Sequence, residues 1–288
     1  MTDVELVLDC QNQLGEGPTW SIAEQALYWV DILGQAVHRL DPATGAHEQY
    51  AIGQPVGTVV PRAAGGFVLA LRDGLFFWEP GGTLTLIVAP EPDKPDNRFN
   101  DGAVDRQGRF WAGTMGKGEP VGALYRLDTD HSLHTMATGI QISNGLGWSP
   151  DNKTLYYCDS GPRTIWQYDF DPATGAIENR RPLVVVPENA GVPDGLTVDR
   201  EGFIWSARWD GWKVYRYDPT GKVERELNIP AARVTSVMFG GPQLDELYIT
   251  TARVGFSAEQ LASAQPQAGG LFRARPGVQG LPETAYGG

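Results

Sequence analysis

Four oxygen-bearing residues stand at matching places in the chain. Glu16, Asn100, Asn144 and Asp194 each precede an apolar position by four residues, namely Trp20, Val104, Trp148 and Val198. Two carboxylates and two amides make a hard donor set with no thiolate or imidazole in it. Such a set suits Ca²⁺, Mg²⁺ or Mn²⁺, and accommodates Fe²⁺ or Zn²⁺ when three protein oxygens bind. Brought together without a cation, two carboxylates about 4 Å apart would repel by roughly 4 kcal/mol at an effective dielectric near 20. Either a metal neutralises them or one holds a proton.

Whether they meet depends on the elements that carry them. The apolar position recurs at Trp20, Val60, Val104, Trp148, Val198 and Phe239, at spacings of 40, 44, 44, 50 and 41 residues. A period near 45 residues, filled with short alternating strands, is the signature of propeller blades. The reading is an all-β, six-bladed β-propeller with a central channel, residues 1–288 forming a single domain. Equivalent positions at the start of each first strand then face one axis. Val56 and Thr235 occupy the same position in the second and sixth repeats, so Val56 is a gap in the polar ring.

Other features support the period. Asp41–Pro42–Ala43–Thr44–Gly45 reappears as Asp171–Pro172–Ala173–Thr174–Gly175, the turn into a fourth strand in repeats one and four. Residues 4–8 (VELVL) read as a strand ahead of the first repeat, placed to complete the last blade and remove an exposed sheet edge. The proline-rich run 89–97 leads into Arg98 as a loop over one end. The insertion 256–267 has helical composition and is expected to hold one short helix outside the propeller core.

The Asn–Gly and Asp–Gly pairs at 144–145 and 194–195 are also common hairpin-turn dipeptides. The turns of these repeats, however, fall later, at Asp151–Lys153 and Asp199–Gly202, and a proline-containing loop precedes Asp194. The site reading is therefore preferred.

Composition narrows the function further. A formal net charge of -12 disfavours a polyanionic partner such as nucleic acid. No apolar run approaches the roughly 18 residues that span a bilayer, and the N-terminal residues carry no secretion signal, so a cytoplasmic location is expected. Cys10 and Cys158 lack metal-type spacing and are expected to be buried free thiols. Asn152–Lys153–Thr154 fits a glycosylation pattern but reads as a hairpin turn. His38, His47, His131 and His134 lie away from the ring position. A nucleophile elbow, a zinc-type histidine motif and a phosphate loop are all missing from the sequence. Trp209 and Trp212 could line the channel mouth.

The stretches LGEGPTW from Leu14, NRFNDGAVDRQGRFWAGTM, ISNGLGWS, PDGLTVDREGFIW, and FGGP with LYITTAR together resemble the gluconolactonase, regucalcin (senescence marker protein) and luciferin-regenerating family. The resemblance extends from Leu14 to the AGGLF stretch at Ala268. It implies a six-bladed propeller with one catalytic divalent metal, Ca²⁺ foremost, held by Glu16, Asn144 and Asp194. Arg98 and Asn100 match substrate-contacting positions. Some relatives carry an acidic substrate contact shortly after the GTM motif; counting along this chain reaches Gly118, and the adjacent Glu119 is the candidate substitute.

The chemistry the resemblance implies is hydrolysis of a sugar lactone to an aldonic acid. The metal polarises the carbonyl, and Asp194 or a metal-bound water serves as base and nucleophile. Two alternatives stand beside it: a metal-dependent esterase or phosphotriesterase, and a non-catalytic Ca²⁺-binding propeller.

Overall fold

The computed structural model describes residues 3–288. Six four-stranded antiparallel sheets follow one another along the chain. Their first strands are Gly15–Ser21, Val56–Pro61, Arg98–Val104, Ser143–Trp148, Val192–Val198 and Val234–Gly240, numbered here as the inner strands of blades 1 to 6. Each inner strand packs on the next, and the sixth packs back on the first. The ring is the six-bladed propeller the spacing implied, with every anchor on an inner strand.

Alternation explains why the blades stack. Residues on the two faces of each middle strand enter different apolar layers: Tyr28 and Val30 face blade 2, whereas Leu27 and Trp29 face the sixth blade. Buried aromatics fill these layers, with Trp111 edge-on to Trp148 at 6.0 Å and Trp205 edge-on to Phe239 at 5.8 Å. The sheets thus share their cores pairwise around the circle.

Blade 6 closes as anticipated, in the order Val4–Leu8, Leu271–Ala274, Glu246–Thr251, Val234–Gly240. Val4 pairs with Ala274 and Leu6 with Phe272, joining the two ends of the chain in one sheet. Both Asp–Pro–Ala–Thr–Gly segments are turns between third and fourth strands. In each the Asp carboxylate caps a backbone N–H two residues on, and the Gly takes positive φ (74° and 71°). The short helix is Ala258–Ser263, exposed and opened by a Ser257–Gln260 capping box. Both cysteines are free; Cys158 is buried, but Cys10 lies just past the strand and is only half-buried. Its thiol hydrogen-bonds Asn12 Oδ1 and the Gly269 carbonyl at a surface seam.

The far end of the channel is closed by the C-terminal segment. The Gly280 N–H donates to the Leu244 carbonyl in blade 6, and Arg200 N–H in blade 5 donates to Gln279 O. Tyr286, fully buried, pairs with Pro61 and Ala63 of blade 2, and its hydroxyl donates to Asp128 O of blade 3. This strap ties opposite sides of the ring together.

Removing residues 1–9 deletes the outer strand of blade 6 and the Arg273–Glu5 ion pair, and bares the Leu271–Ala274 edge. The truncated protein is expected to melt several degrees lower and to aggregate on heating, which light scattering during a thermal ramp would register.

Candidate active site at the axis

The ring positions are set by a repeated irregularity. The inner-to-second-strand register breaks between Glu16 and Thr19, Phe99 and Gly102, Ser143 and Leu146, and Pro193 and Leu196. Asn100, Asn144 and Asp194 sit in these bulges, and Glu16 borders one. A bulge removes residues from the ladder and re-aims their side chains. Here it turns them toward the axis.

The glycines after them have a packing reason and not a turn reason. A Cβ on Gly145 would lie 2.0 Å from the Leu196 amide nitrogen of blade 5, and one on Gly195 would lie 2.1 Å from Ser236 Oγ of blade 6. Gly145 meets the backbone of the next inner strand, and Gly195 meets the Ser236 side chain. The Asn–Gly and Asp–Gly pairs are therefore interblade contacts.

Two aspartates fix how the chain enters the inner strands. Asp31 accepts the Gln13 and Leu14 N–H groups at 2.8 and 2.9 Å, just before Glu16. Asp159 does the same for Gln141 and Ile142 at 3.3 and 3.0 Å, just before Asn144. Both sit at the ends of second strands. Each also caps its own loop, through Gly34 and Gly161.

Glu16, Asn100, Asn144 and Asp194 are all buried. Asn100 Nδ2 donates to the Ser143 carbonyl at 2.7 Å and to Asn144 Oδ1 at 3.3 Å. Arg98 Nη1 donates to Asn100 Oδ1 at 2.6 Å, so Arg98 belongs to the cluster. Burial pushes the Glu16 carboxyl well above its usual range, reinforced by the charges of Asp194 and Asp101. Burial and Asp101 do the same to Asp194, opposed by the Gly195 amide, the Asn144 side chain and Arg208. Burial lowers the Arg98 guanidinium, and the two acids partly restore it.

Among the described residues, no group of three or more His, Cys, Asp or Glu side chains forms a metal-type cluster. The set that converges is two carboxylates and an amide. Its chemistry fits a hard divalent cation. Asp194 Oδ1 is buried without a hydrogen-bond partner, and mutually repelling acids surround it. An orphaned anionic oxygen of this kind is costly unless a cation or proton meets it.

Glu119 behaves differently. It is exposed in the turn after Met115, whose Gly118 carbonyl is held by Gln141 Nε2 at 2.7 Å, and it stands apart from the buried cluster. Trp209 is half-buried under Arg233, whose guanidinium lies 4.8 Å from its ring, while Trp212 is 43% exposed. His38 and His47 hydrogen-bond each other at 3.0 Å beside Trp29 in blade 1, away from the ring.

Two buried charges and one half-buried one at or near the axis escaped the sequence reading. Asp101 is buried next to Asn100, its carboxyl raised to about 6 by burial. Its position in the same bulge was the available signal. Arg208, fully buried, bonds only neutral groups (Ser206, Ala207 O and the Tyr217 hydroxyl) and leaves Nε unpartnered. Glu283 comes from the C-terminal strap and lines the channel with Asp101 and Thr58. Thr19 Oγ1 donates to its Oε2 at 2.5 Å. No local pattern could have linked residues so distant in sequence.

The geometry defines a propeller with a buried acid and amide site at its axis. Comparison then places it: the SMP-30/Gluconolactonase/LRE-like region matches residues 14–253, and the chain belongs to that family. It is 41% identical over 296 residues to regucalcin of Xenopus laevis, covering 99% of this chain and 98% of that one. It is 42% identical over 291 residues to pentonolactonase XacC of Haloferax volcanii, covering 97% of each. Among solved structures, a calcium-binding protein, regucalcin, from Agrobacterium tumefaciens superposes with a TM-score of 0.94 at 29% identity, covering 99% of this chain and 97% of that one. No helix among the described residues is long and apolar enough to cross a membrane.

Burial raises the Glu283 carboxyl to about 7. A carboxyl raised in the fold favours folding while protonated. That contribution is complete below the ordinary value of 4.5 and is lost as pH rises through about 7. Glu283→Gln keeps an acceptor for Thr19 without the charge. Its melting temperature is expected to match the parent at pH 4.5 and exceed it by about 3 °C at pH 8, a scale set by roughly 1 kcal/mol. Parallel thermal melts across that range check this.

Proposed function

We propose that this chain hydrolyses sugar lactones, opening an aldonolactone of the pentose or hexose series to its aldonic acid. It is an enzyme of the carboxylic ester hydrolase class, and residues 1–288 act as one domain on a small-molecule substrate in the cytoplasm. The observation that carries the reading is that Glu16, Asn144 and Asp194 are buried within reach of one another, the Asp194 charge acting on Glu16 and the Asn144 side chain meeting Asp194, with an oxygen of Asp194 left unpartnered. Named lactonases among the relatives, the Haloferax pentonolactonase at 42% identity and a 6-deoxy-6-sulfogluconolactonase of Pseudomonas putida at 39%, support the reaction class. The calcium-binding regucalcin structure supports a divalent cation, Ca²⁺ foremost, with Zn²⁺, Mn²⁺, Fe²⁺ and Mg²⁺ as further candidates.

Glu16, Asn144 and Asp194 would hold the cation. When bound, it supplies Lewis acidity, withdrawing electron density from the lactone carbonyl and offsetting negative charge on that oxygen. The remaining chemistry falls to the chain. Asp194 accepts a proton from the attacking water as the new C–O bond forms at the carbonyl carbon. It returns the proton to the ring oxygen as the endocyclic C–O bond breaks, yielding a hydroxy acid that loses its own proton to solvent.

Arg98 and Asn100 orient the sugar hydroxyls. Arg98 carries a donor-only guanidinium whose Nη1 is already committed to Asn100 Oδ1 and Phe99 O, so its geometry is set before substrate arrives. Exposed Glu119 would contact substrate only from the rim. Arg98→Ala is expected to raise KM for the preferred lactone about tenfold with a smaller loss in kcat, because a positioning contact is removed while Asp194 stays.

The decisive experiment measures acid release from defined pentono- and hexonolactones by chelated protein resupplied with single divalent ions, spontaneous opening subtracted. Restored turnover, lost at least a hundredfold in Asp194→Asn with the fold intact, is the expected result. Tight ion binding without turnover of any lactone would overturn the reading and leave a Ca²⁺-binding propeller or a different esterase.

A further inference from the structure

A continuous run of hydrogen bonds joins blades 3, 4 and 5 through two of the ring residues. Arg98 donates to Asn100 Oδ1 (2.6 Å), Asn100 Nδ2 to Asn144 Oδ1 (3.3 Å), Asn144 Nδ2 to Ser160 Oγ (2.8 Å), and Ser160 Oγ to the Pro193 carbonyl (2.6 Å). The polarity of this run follows from its chemistry. A guanidinium can only donate, so Asn100 must turn its oxygen to Arg98. Its NH₂ then faces Asn144 and the Ser143 carbonyl, which can only accept. At the other end the Pro193 carbonyl can only accept, so the single Ser160 proton goes there. The serine oxygen is left to receive the Asn144 NH₂.

Resting on the cation reading above, we propose that Ser160 is a positioning residue of the metal site. Its hydroxyl holds the NH₂ end of Asn144 on the blade 5 side and leaves the amide oxygen as the group presented to a divalent cation.

The two ends of an amide are nearly the same size, so sterics alone distinguish them poorly. An NH₂ presented to a cation would supply hydrogens where a lone pair is required. Ser160 is 4% exposed, so water does not readily replace it. Its second contact is the carbonyl of the residue preceding Asp194. One hydroxyl therefore also sets the spacing between the amide ligand and the carboxylate ligand. The long 3.3 Å contact from Asn100 leaves Asn144 Oδ1 weakly engaged and available.

The test is equilibrium binding of Mn²⁺ to chelated protein by calorimetry, with melting temperatures of the metal-free forms in parallel. Ser160→Ala is expected to weaken binding about tenfold or more, the range typical for groups that orient a ligand. Ser160→Thr, which keeps the hydroxyl, should bind within about twofold of the parent. In an Asn144→Asp background both ends of the side chain are oxygens, so adding Ser160→Ala should cost little affinity. A merely structural serine would weaken binding equally in both backgrounds, which overturns the proposal, as does parental affinity in Ser160→Ala. If Ser160→Ala fails to fold, Ser160→Cys supplies a poorer acceptor of similar size. Weakened binding supports the role, and unchanged binding overturns it. Failure of the parent itself to bind Mn²⁺, Ca²⁺ or Zn²⁺ would instead remove the cation reading on which this rests.

Discussion

Backbone crowding at the axis governs this molecule. Six inner strands converge so closely that Gly145 and Gly195 have no room for a methyl group against the neighbouring blades. Where strands approach this tightly, regular pairing along each one cannot continue, and bulges interrupt the inner ladders at the level of the ring residues. The side chains displaced by those bulges have one place to go. Structural necessity at the centre of the ring thus produces the concentration of polar groups that makes a site.

That concentration is unfavourable by itself. Burial raises the proton affinity of Glu16, Asp101 and Asp194, Asp101 adds to it for the other two and Asp194 for Glu16, and the cations nearby, Arg98 and Arg208, offset this only in part. The fold tolerates this because the cost falls on side chains and not on the blades, whose apolar layers lie farther out. A divalent ion would relieve the repulsion and satisfy the unpartnered oxygen together. The proposed function and the strain share the same few atoms.

Much of this was legible from spacing. Glu16, Asn100, Asn144 and Asp194 repeat with the blade period, and a closed ring converts equal phase into spatial proximity. The closing strand Val4–Leu8 and the helix at Ala258–Ser263 were readable for local reasons, alternation in one and composition in the other. Glu283 was not, because it reaches the axis from a tail outside the repeat. Arg208 and Ser160 were missed because they sit on or after second strands, where the period predicts blade packing. Cys10 shows the limit of local hydropathy: it follows an apolar run, yet the strand ends before it and the thiol lies at a seam.

The union of the first and last strands in blade 6 also bears on how the molecule reaches its native state. Val4 cannot find Ala274 until the blades between them have been made, so this strand waits far longer for its partner than a strand joined to its neighbour by a hairpin. Until then the nascent protein is an open arc with two unsatisfied ends, and contacts of such sequence separation form slowly. Blades 1 to 5 can form in succession from local hairpins. The circle also closes through the inner strands of blades 6 and 1, so the site depends on contacts between residues far apart in sequence.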